Sequence, residues 1–230
     1  FGEKYIDGYW YYFNPDKEGE MSTGWTEHHG KTYYYDEEGH MVYDWIVIDG
    51  TGYYFSKDTG VWVPGFVCID GATYYLENGE KYFGEKYIDG AWYYFDQSQG
   101  GKMKIGWKSF TNKKVYYGSD GAMVYGEQLI EGKWYYFNKT TGAMAIGWCN
   151  LPGKRVYYGS DGIMVYGEQL INGKWYYFNK TTGAMAIGWC NLPGKRVYYG
   201  SDGAMVYGTQ VIGAKTYYFN PETGALMISQ

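Results

Sequence analysis

The chain has 230 residues, of which 22% are Phe, Trp or Tyr, with 31 Tyr and 36 Gly, a formal net charge of −5 and a pI near 5.3. So much Tyr and Gly suits neither an ordinary α/β enzyme nor a helix bundle, while 45% hydrophobic content argues against disorder. The acidic balance weighs against nucleic acid, where phosphate contacts dominate affinity, and no apolar run nears the roughly 18 residues of a membrane span.

The opening Phe1-Gly2-Glu3-Lys4 has none of the basic, apolar and cleavage segments of a signal peptide, so the chain reads as a piece of a longer protein. From there one array runs to the end. Its units are 2–43, 44–83, 84–125, 126–166 and 167–207, followed by a half unit at 208–230. Units 126–166 and 167–207 are nearly identical, and Gly84 to Gly90 repeats Gly2 to Gly8. Eleven Tyr-Tyr pairs, from Tyr11-Tyr12 to Tyr217-Tyr218, divide the array into eleven modules of roughly 20 residues.

Each module reads as a β-hairpin. In Gln128 to Phe137 two short runs of strand formers flank Glu131-Gly132, and the same place holds Asp7-Gly8, Asp89-Gly90 and Asn172-Gly173. Such dipeptides supply the positive φ angles of a two-residue turn. A longer Gly-ended turn, such as Asn138 to Gly142, leads to the next module. A lone hairpin is marginal in water, so each must bury an aromatic face against its neighbours. Many of the aromatics are therefore structural.

The pattern Gly-Trp, then x-Gly-Lys-Trp-Tyr-Tyr-Phe, then Gly-x-Met-x-x-Gly-Trp resembles the cell-wall-binding repeats of choline-binding proteins, over the whole chain. Related repeats occur in glucan-binding and clostridial toxin receptor-binding regions. The resemblance implies an all-β fold, a β-solenoid of about eleven stacked hairpins, with ligands held at hairpin junctions. For a quaternary ammonium, which donates no hydrogen bond, the site must be built of π faces. The resemblance implies a box of Trp and Tyr from adjacent hairpins with a Met nearby.

Two kinds of module alternate. One has Trp before Tyr-Tyr (Trp10, Trp92, Trp134, Trp175) and Glu where the other has Gly-Trp (Glu3, Glu85, Glu127, Glu168); the other carries Trp25, Trp107, Trp148 and Trp189. The order along the chain gives four candidate boxes. They are Trp10, Met21, Trp25 and Tyr34; Trp92, Met103, Trp107 and Tyr117; Trp134, Met144, Trp148 and Tyr158; and Trp175, Met185, Trp189 and Tyr199. Alternation along a strand leads us to expect the second Tyr of each pair in the box and the first in the core. Unit 44–83 departs furthest, with Trp45, Gly52, Trp62, Phe66 and Lys81 replacing the usual residues, so a box of the regular kind is doubtful there, the alternatives being a bend or a differently shaped pocket.

Other motifs carry little. Asn138-Lys139-Thr140 and Asn179-Lys180-Thr181 match both a glycosylation acceptor and a turn. His28, His29 and His40 lack a zinc-binding spacing, and neither a metal nor a cofactor is expected. Cys68, Cys149 and Cys190 are odd in number, and the last two are repeat equivalents too far apart to bridge, so free thiols are expected. No nucleophile or raised-pKa carboxylate pair stands in a recognisable setting, so the chain is not expected to be an enzyme, although a catalytic domain elsewhere in the full-length protein is compatible with this.

The leading expectation is a non-catalytic bacterial module, secreted and held at the cell surface, that recognises choline-substituted teichoic acids of the wall. The first alternative is glucan or host-glycan binding, with Trp and Tyr stacked on sugar rings. The second is a rigid spacer or self-association scaffold. Neither nucleic acid nor membrane insertion is expected, and the end hairpins offer a route to a homodimer.

Overall fold

The computed structural model describes residues 1–77 and 79–229. Among them the chain is all-β, with eleven antiparallel hairpins at 2–14, 24–35, 44–55, 65–77, 84–96, 106–117, 126–137, 147–158, 167–178, 188–199 and 208–219. Helix is confined to two short 3-10 turns, Pro15–Lys17 and Gln97–Gln99, and no helix among these residues is long and apolar enough to cross a membrane. Two compact units emerge, Phe1–Gly106 with Tyr117–Met123, and Trp107–Tyr116 with Val124–Gln230.

The x-Gly turns behave as their composition demands. Asn172 and Gly173 take φ of 49° and 77°, and even Glu131 is held at 50° beside Gly132, the pair of left-handed residues that matches the twist of a tight hairpin. The longer turns close on side chains: Asn138 Oδ1 accepts the N–H groups of Thr140 and Thr141 at 2.9 and 3.0 Å. That geometry accounts for the Asn-x-Thr pattern as turn chemistry.

Strand alternation decides the core. In hairpin 126–137 Tyr135 and Phe137 turn inward, and in hairpin 147–158 Val156 and Tyr158 do. The innermost residue of each second strand faces a glycine, as in Gly126↔Phe137 and Gly147↔Tyr158. At that place Tyr35, Phe55, Phe95, Phe137, Tyr158, Phe178, Tyr199 and Phe219 are fully buried. Each such ring removes about 150–250 Å² from water, so these rings contribute to the core of each unit.

A short third segment ties neighbouring hairpins together. In one unit the N–H groups of Met41 and Trp62 donate to the carbonyls of Trp10 and Thr32, each at 2.8 Å; in the other, Met164, Met185 and Met205 donate to Trp134, Arg155 and Trp175 at 2.9, 2.7 and 2.8 Å. The same segment packs each Met against a glycine in the next hairpin's long turn. Gly162, with φ of +80°, is covered by the Met144 thioether, and a Cβ at Gly39 would lie 2.6 Å from the Met21 sulfur. The recurring Met is thus a flexible filler between hairpins.

Candidate functional site

An aromatic cleft forms where the hairpins 24–35 and 44–55 meet. Strand Gly24–His28 presents Trp25 opposite Tyr34 of Lys31–Tyr35. The next hairpin contributes Tyr53 from strand Thr51–Phe55, and its third segment contributes Trp62, bridged to Phe55. The Trp62 N–H donates to the Thr32 carbonyl at 2.8 Å, which fixes the ring against Trp25. The Trp25 ring lies 4.8 Å from Tyr53 and 5.7 Å from Trp62, both at 76°, and 5.5 Å from Tyr34 at 75°.

Trp25, with Tyr53 and Trp62 each edge-on to it, lines a cleft of about 520 Å³ together with Thr26, Glu27 and Thr32. That volume is in the range of small-molecule sites. Trp25 remains 43% exposed, so its π face is accessible. Glu27 adds a carboxylate at the wall. Rings plus one anion attract a cation, and nothing in the lining donates strongly to an anion.

Within each unit the rings meet in an order different from that along the chain. Trp10 lies across its hairpin from Tyr5, with ring centroids 5.3 Å apart, and Trp92 likewise from Tyr87 at 5.4 Å. Trp134 and Trp175 stand opposite Leu129 and Leu170, each 39% exposed. Among the described residues no ring pair joins Trp10 to Trp25, Trp134 to Trp148, or Trp175 to Trp189. The reason is register: Trp134 occupies the strand position of Arg155, and Glu127 that of Trp148. The two Trp types therefore alternate along the repeat.

Trp148 instead meets Tyr157 of its own hairpin at 5.1 Å and Tyr176 and Phe178 of the next at 4.9 and 5.8 Å. Trp189 repeats this with Tyr198, Tyr217 and Phe219, and Trp107 with Tyr116, Tyr135 and Phe137. The second Tyr of the pair, expected in the box, is fully buried at Tyr117, Tyr158 and Tyr199, while Tyr34 lies edge-on to Trp25 but outside the lining of the cleft. Tyr157-Tyr158 aligns with Tyr136-Phe137, so the pair is shifted by one position between module kinds and each ring changes face. Counting back from the glycine that opens the hairpin would have exposed the shift. Met144 and Met185 pack on Gly162 and Gly203, and Met21 and Met103 on Gly39 and Gly121.

Sequence reasoning missed Tyr53, and it missed Trp62, which lies in the unit that departs furthest from the repeat pattern. Its Nε1 is buried without a hydrogen-bond partner. The signal was present in Trp replacing Met, but only the third-segment bridge shows that this place faces the preceding hairpin's Trp.

The intervening junctions are built differently. Glu127 pairs with Lys154 at 2.7 Å and Glu168 with Lys195 at 2.8 Å. Behind them the hydroxyls of Tyr158 and Tyr199 are buried without partners, and burial, reinforced by the nearby Glu, drives both well above the usual tyrosine range. Cys149 and Cys190 are free, as is Cys68, and burial pushes the first two thiols up. At the first such junction His28 is sandwiched between Tyr12 and Tyr33, both at 4.1 Å and near parallel, with Nε2 3.0 Å from the Tyr35 hydroxyl and 3.8 Å from Glu3. Burial lowers its pKa, the Glu3 carboxylate opposing and His29 adding to the effect. Asp36, Glu38 and His40 cluster in one turn, where His40 donates its N–H to Asp36 at 2.7 Å and stacks on Tyr9 at 3.9 Å.

Tandem hairpins with aromatic clusters at their junctions define a repeat-built ligand-binding module. The sequence profile of the choline-binding repeat matches residues 2–38, 22–64, 104–147, 145–188 and 186–230, and that of the cell wall binding repeat matches 65–81 and 86–98. The chain belongs to the choline-binding repeat family. Among solved structures it is similar to CbpJ from Streptococcus pneumoniae TIGR4, 29% identical with a TM-score of 0.76, over 98% of this chain and 93% of that one. Choline binding protein F from Streptococcus pneumoniae is 29% identical with a TM-score of 0.75, over 99% and 92%, and has also been crystallised in the presence of a peptidoglycan analogue. The modular autolysin LytC from Streptococcus pneumoniae is 26% identical with a TM-score of 0.52, over 89% of this chain and 48% of that one. A search of curated protein sequences returns no match.

Proposed function

We propose that the chain is a non-catalytic module that holds a bacterial protein at the cell wall by binding choline groups of wall polymers such as teichoic acids, with the Trp25, Tyr53 and Trp62 cleft as the binding site. The observation that carries this reading is the cleft itself: an exposed Trp25 ring with the half-buried Tyr53 and Trp62 rings edge-on to it, a carboxylate at the wall, and a chain that belongs to the choline-binding repeat family. A trimethylammonium group fills such a box without asking for a hydrogen bond, gaining about 0.5–2 kcal/mol per ring. The hydrogen bond from each third segment to the preceding hairpin supports stacking of a β-solenoid kind within each unit. Wall and surface location follows from the same reading, since the relatives include choline binding protein F and an autolysin seen with a synthetic peptidoglycan ligand.

Calorimetric titration with choline tests this. The unmodified chain should give saturable heat, and Trp25→Ala should weaken binding at least about tenfold, the loss of one principal π face. Absence of heat at tens of millimolar choline, or unaltered affinity in Trp25→Ala, would sink it.

A further inference from the structure

Among the described residues five junctions place a Trp where Trp25 stands: Trp25 itself, Trp45, Trp107, Trp148 and Trp189. We infer that at four of them the chain's own side-chain cation occupies the π face, so that the external cation is admitted at Trp25 alone. This rests on the choline reading of the cleft and narrows it from many sites to one.

The arrangement is visible in two recurring slots. The first is the second-strand residue whose carbonyl receives the third-segment N–H: Thr32, Lys114 and Arg155. The second is the third-segment residue itself: Trp62, Met144 and Met185. At Trp107 the first slot sends Lys114 Nζ to 4.4 Å from the ring centroid; at Trp148 and Trp189 it sends the guanidinium carbons of Arg155 and Arg196 to 4.3 and 4.4 Å. At Trp45 the first slot is Gly52 and the cation comes from the second, where Lys81 lies 5.2 Å from Trp45 and 4.1 Å from Tyr74. All four lie within the distance at which a cation is held by a ring.

Trp25 is the exception in both slots, with Thr32 in the first and Trp62 in the second, and the cleft opens there. At the remaining junction of this kind Phe66 replaces Trp and Met103 takes the second slot, which leaves a weaker π face. A tethered cation competes at an effective concentration on the order of millimolar or more, and it repels a second positive charge. Arginine keeps its charge at any accessible pH, so protonation changes do not empty the Trp148 and Trp189 faces. Lys81, Lys114, Arg155 and Arg196 therefore determine specificity by exclusion.

The experiment exchanges slots between junctions in the whole chain. Arg155→Thr with Met185→Trp gives Trp148 the residues found around Trp25, and Thr32→Arg gives Trp25 the guanidinium found over Trp148. Choline stoichiometry and affinity are read by calorimetry, with far-ultraviolet circular dichroism as the check on folding. The unmodified chain should bind about one choline, the double variant about two, and Thr32→Arg should lose roughly tenfold or more in affinity. Binding of four or five cholines by the unmodified chain would overturn the inference. So would a folded double variant without added binding together with a Thr32→Arg variant of unaltered affinity, while Trp25-dependent binding in the unmodified chain left the choline reading standing. If no variant bound choline, reading and inference would both fall; if only the double variant bound, the Trp25 assignment would fall and exclusion by Arg155 would stand.

Discussion

Replacing Trp62 with Met tests whether the third segment supplies a wall of the binding cleft. Met is the residue that the chain itself uses at this place, where Met185 donates to Arg155 at 2.7 Å just as Trp62 donates to Thr32 at 2.8 Å. The backbone link is therefore expected to survive. The substitution also removes a buried indole N–H that has no partner, which offsets part of the lost packing. What disappears is one ring of the three around the cation, 5.7 Å from Trp25. A ring–cation contact is worth about 0.5–2 kcal/mol. Since a thioether retains some dispersion, we expect a loss of about 1–1.5 kcal/mol, roughly a five- to twelvefold rise in the choline Kd.

The assay is calorimetry alongside thermal unfolding with and without choline. Well above the Kd, a tenfold weaker ligand gives about 1.4 kcal/mol less stabilisation at the same concentration. Trp134→Ala is the discriminating control, because a box built in chain order would lose binding there, whereas the observed geometry predicts a change within about twofold, as for an exposed residue away from the cleft. Unaltered affinity in Trp62→Met, or an equal loss in Trp134→Ala, would refute the reasoning.

Two further predictions concern the scaffold. His28 is buried between two tyrosine rings with its pKa held down, facing Glu3, Tyr12, Tyr33, Tyr35 and His29. The unfolded chain then binds the proton more readily, so stability is full above about pH 6.5 and falls as pH drops below it, levelling off once the folded His28 is also protonated. His28→Phe should flatten the fall in melting temperature between pH 7 and pH 5, and identical slopes in the two proteins would contradict this. Gly162→Ala should cost about 1–3 kcal/mol, because φ is +80° and the Met144 thioether already fills the space of a Cβ. Thermal unfolding should show a drop of several degrees; an unmoved midpoint would mean that the hairpins restack freely.

Much of the architecture could be read from local pattern. The hairpins, their tight turns and their count all appear in the spacing of Tyr-Tyr and x-Gly, because a two-residue turn and an alternating strand are decided by residues a few positions apart. Choline as the ligand class followed from the resemblance of the repeat. The candidate site was legible only in part. Of the residues lining the cleft, Trp25 was the one named from the sequence; its pairing with Tyr34 across one hairpin is a relation that sequence spacing contains. Tyr117, Tyr158 and Tyr199 were misplaced because a single-residue shift between module kinds reverses every face, and a repeated Tyr-Tyr disguises that shift.

The sequence by itself determined that this protein is a row of aromatic hairpins, each needing a neighbour. Tertiary structure alone decided which rings meet, because a ring's partners come from the next hairpin's Tyr and third segment, whose approach is set by the stacking hydrogen bond and by Met seated on glycine. That offset brings Tyr53 and Trp62 to Trp25 and carries Arg155 over Trp148. Two junctions with the same Trp-Tyr signature thus end with different surroundings, one lining a cleft and one covered by an arginine.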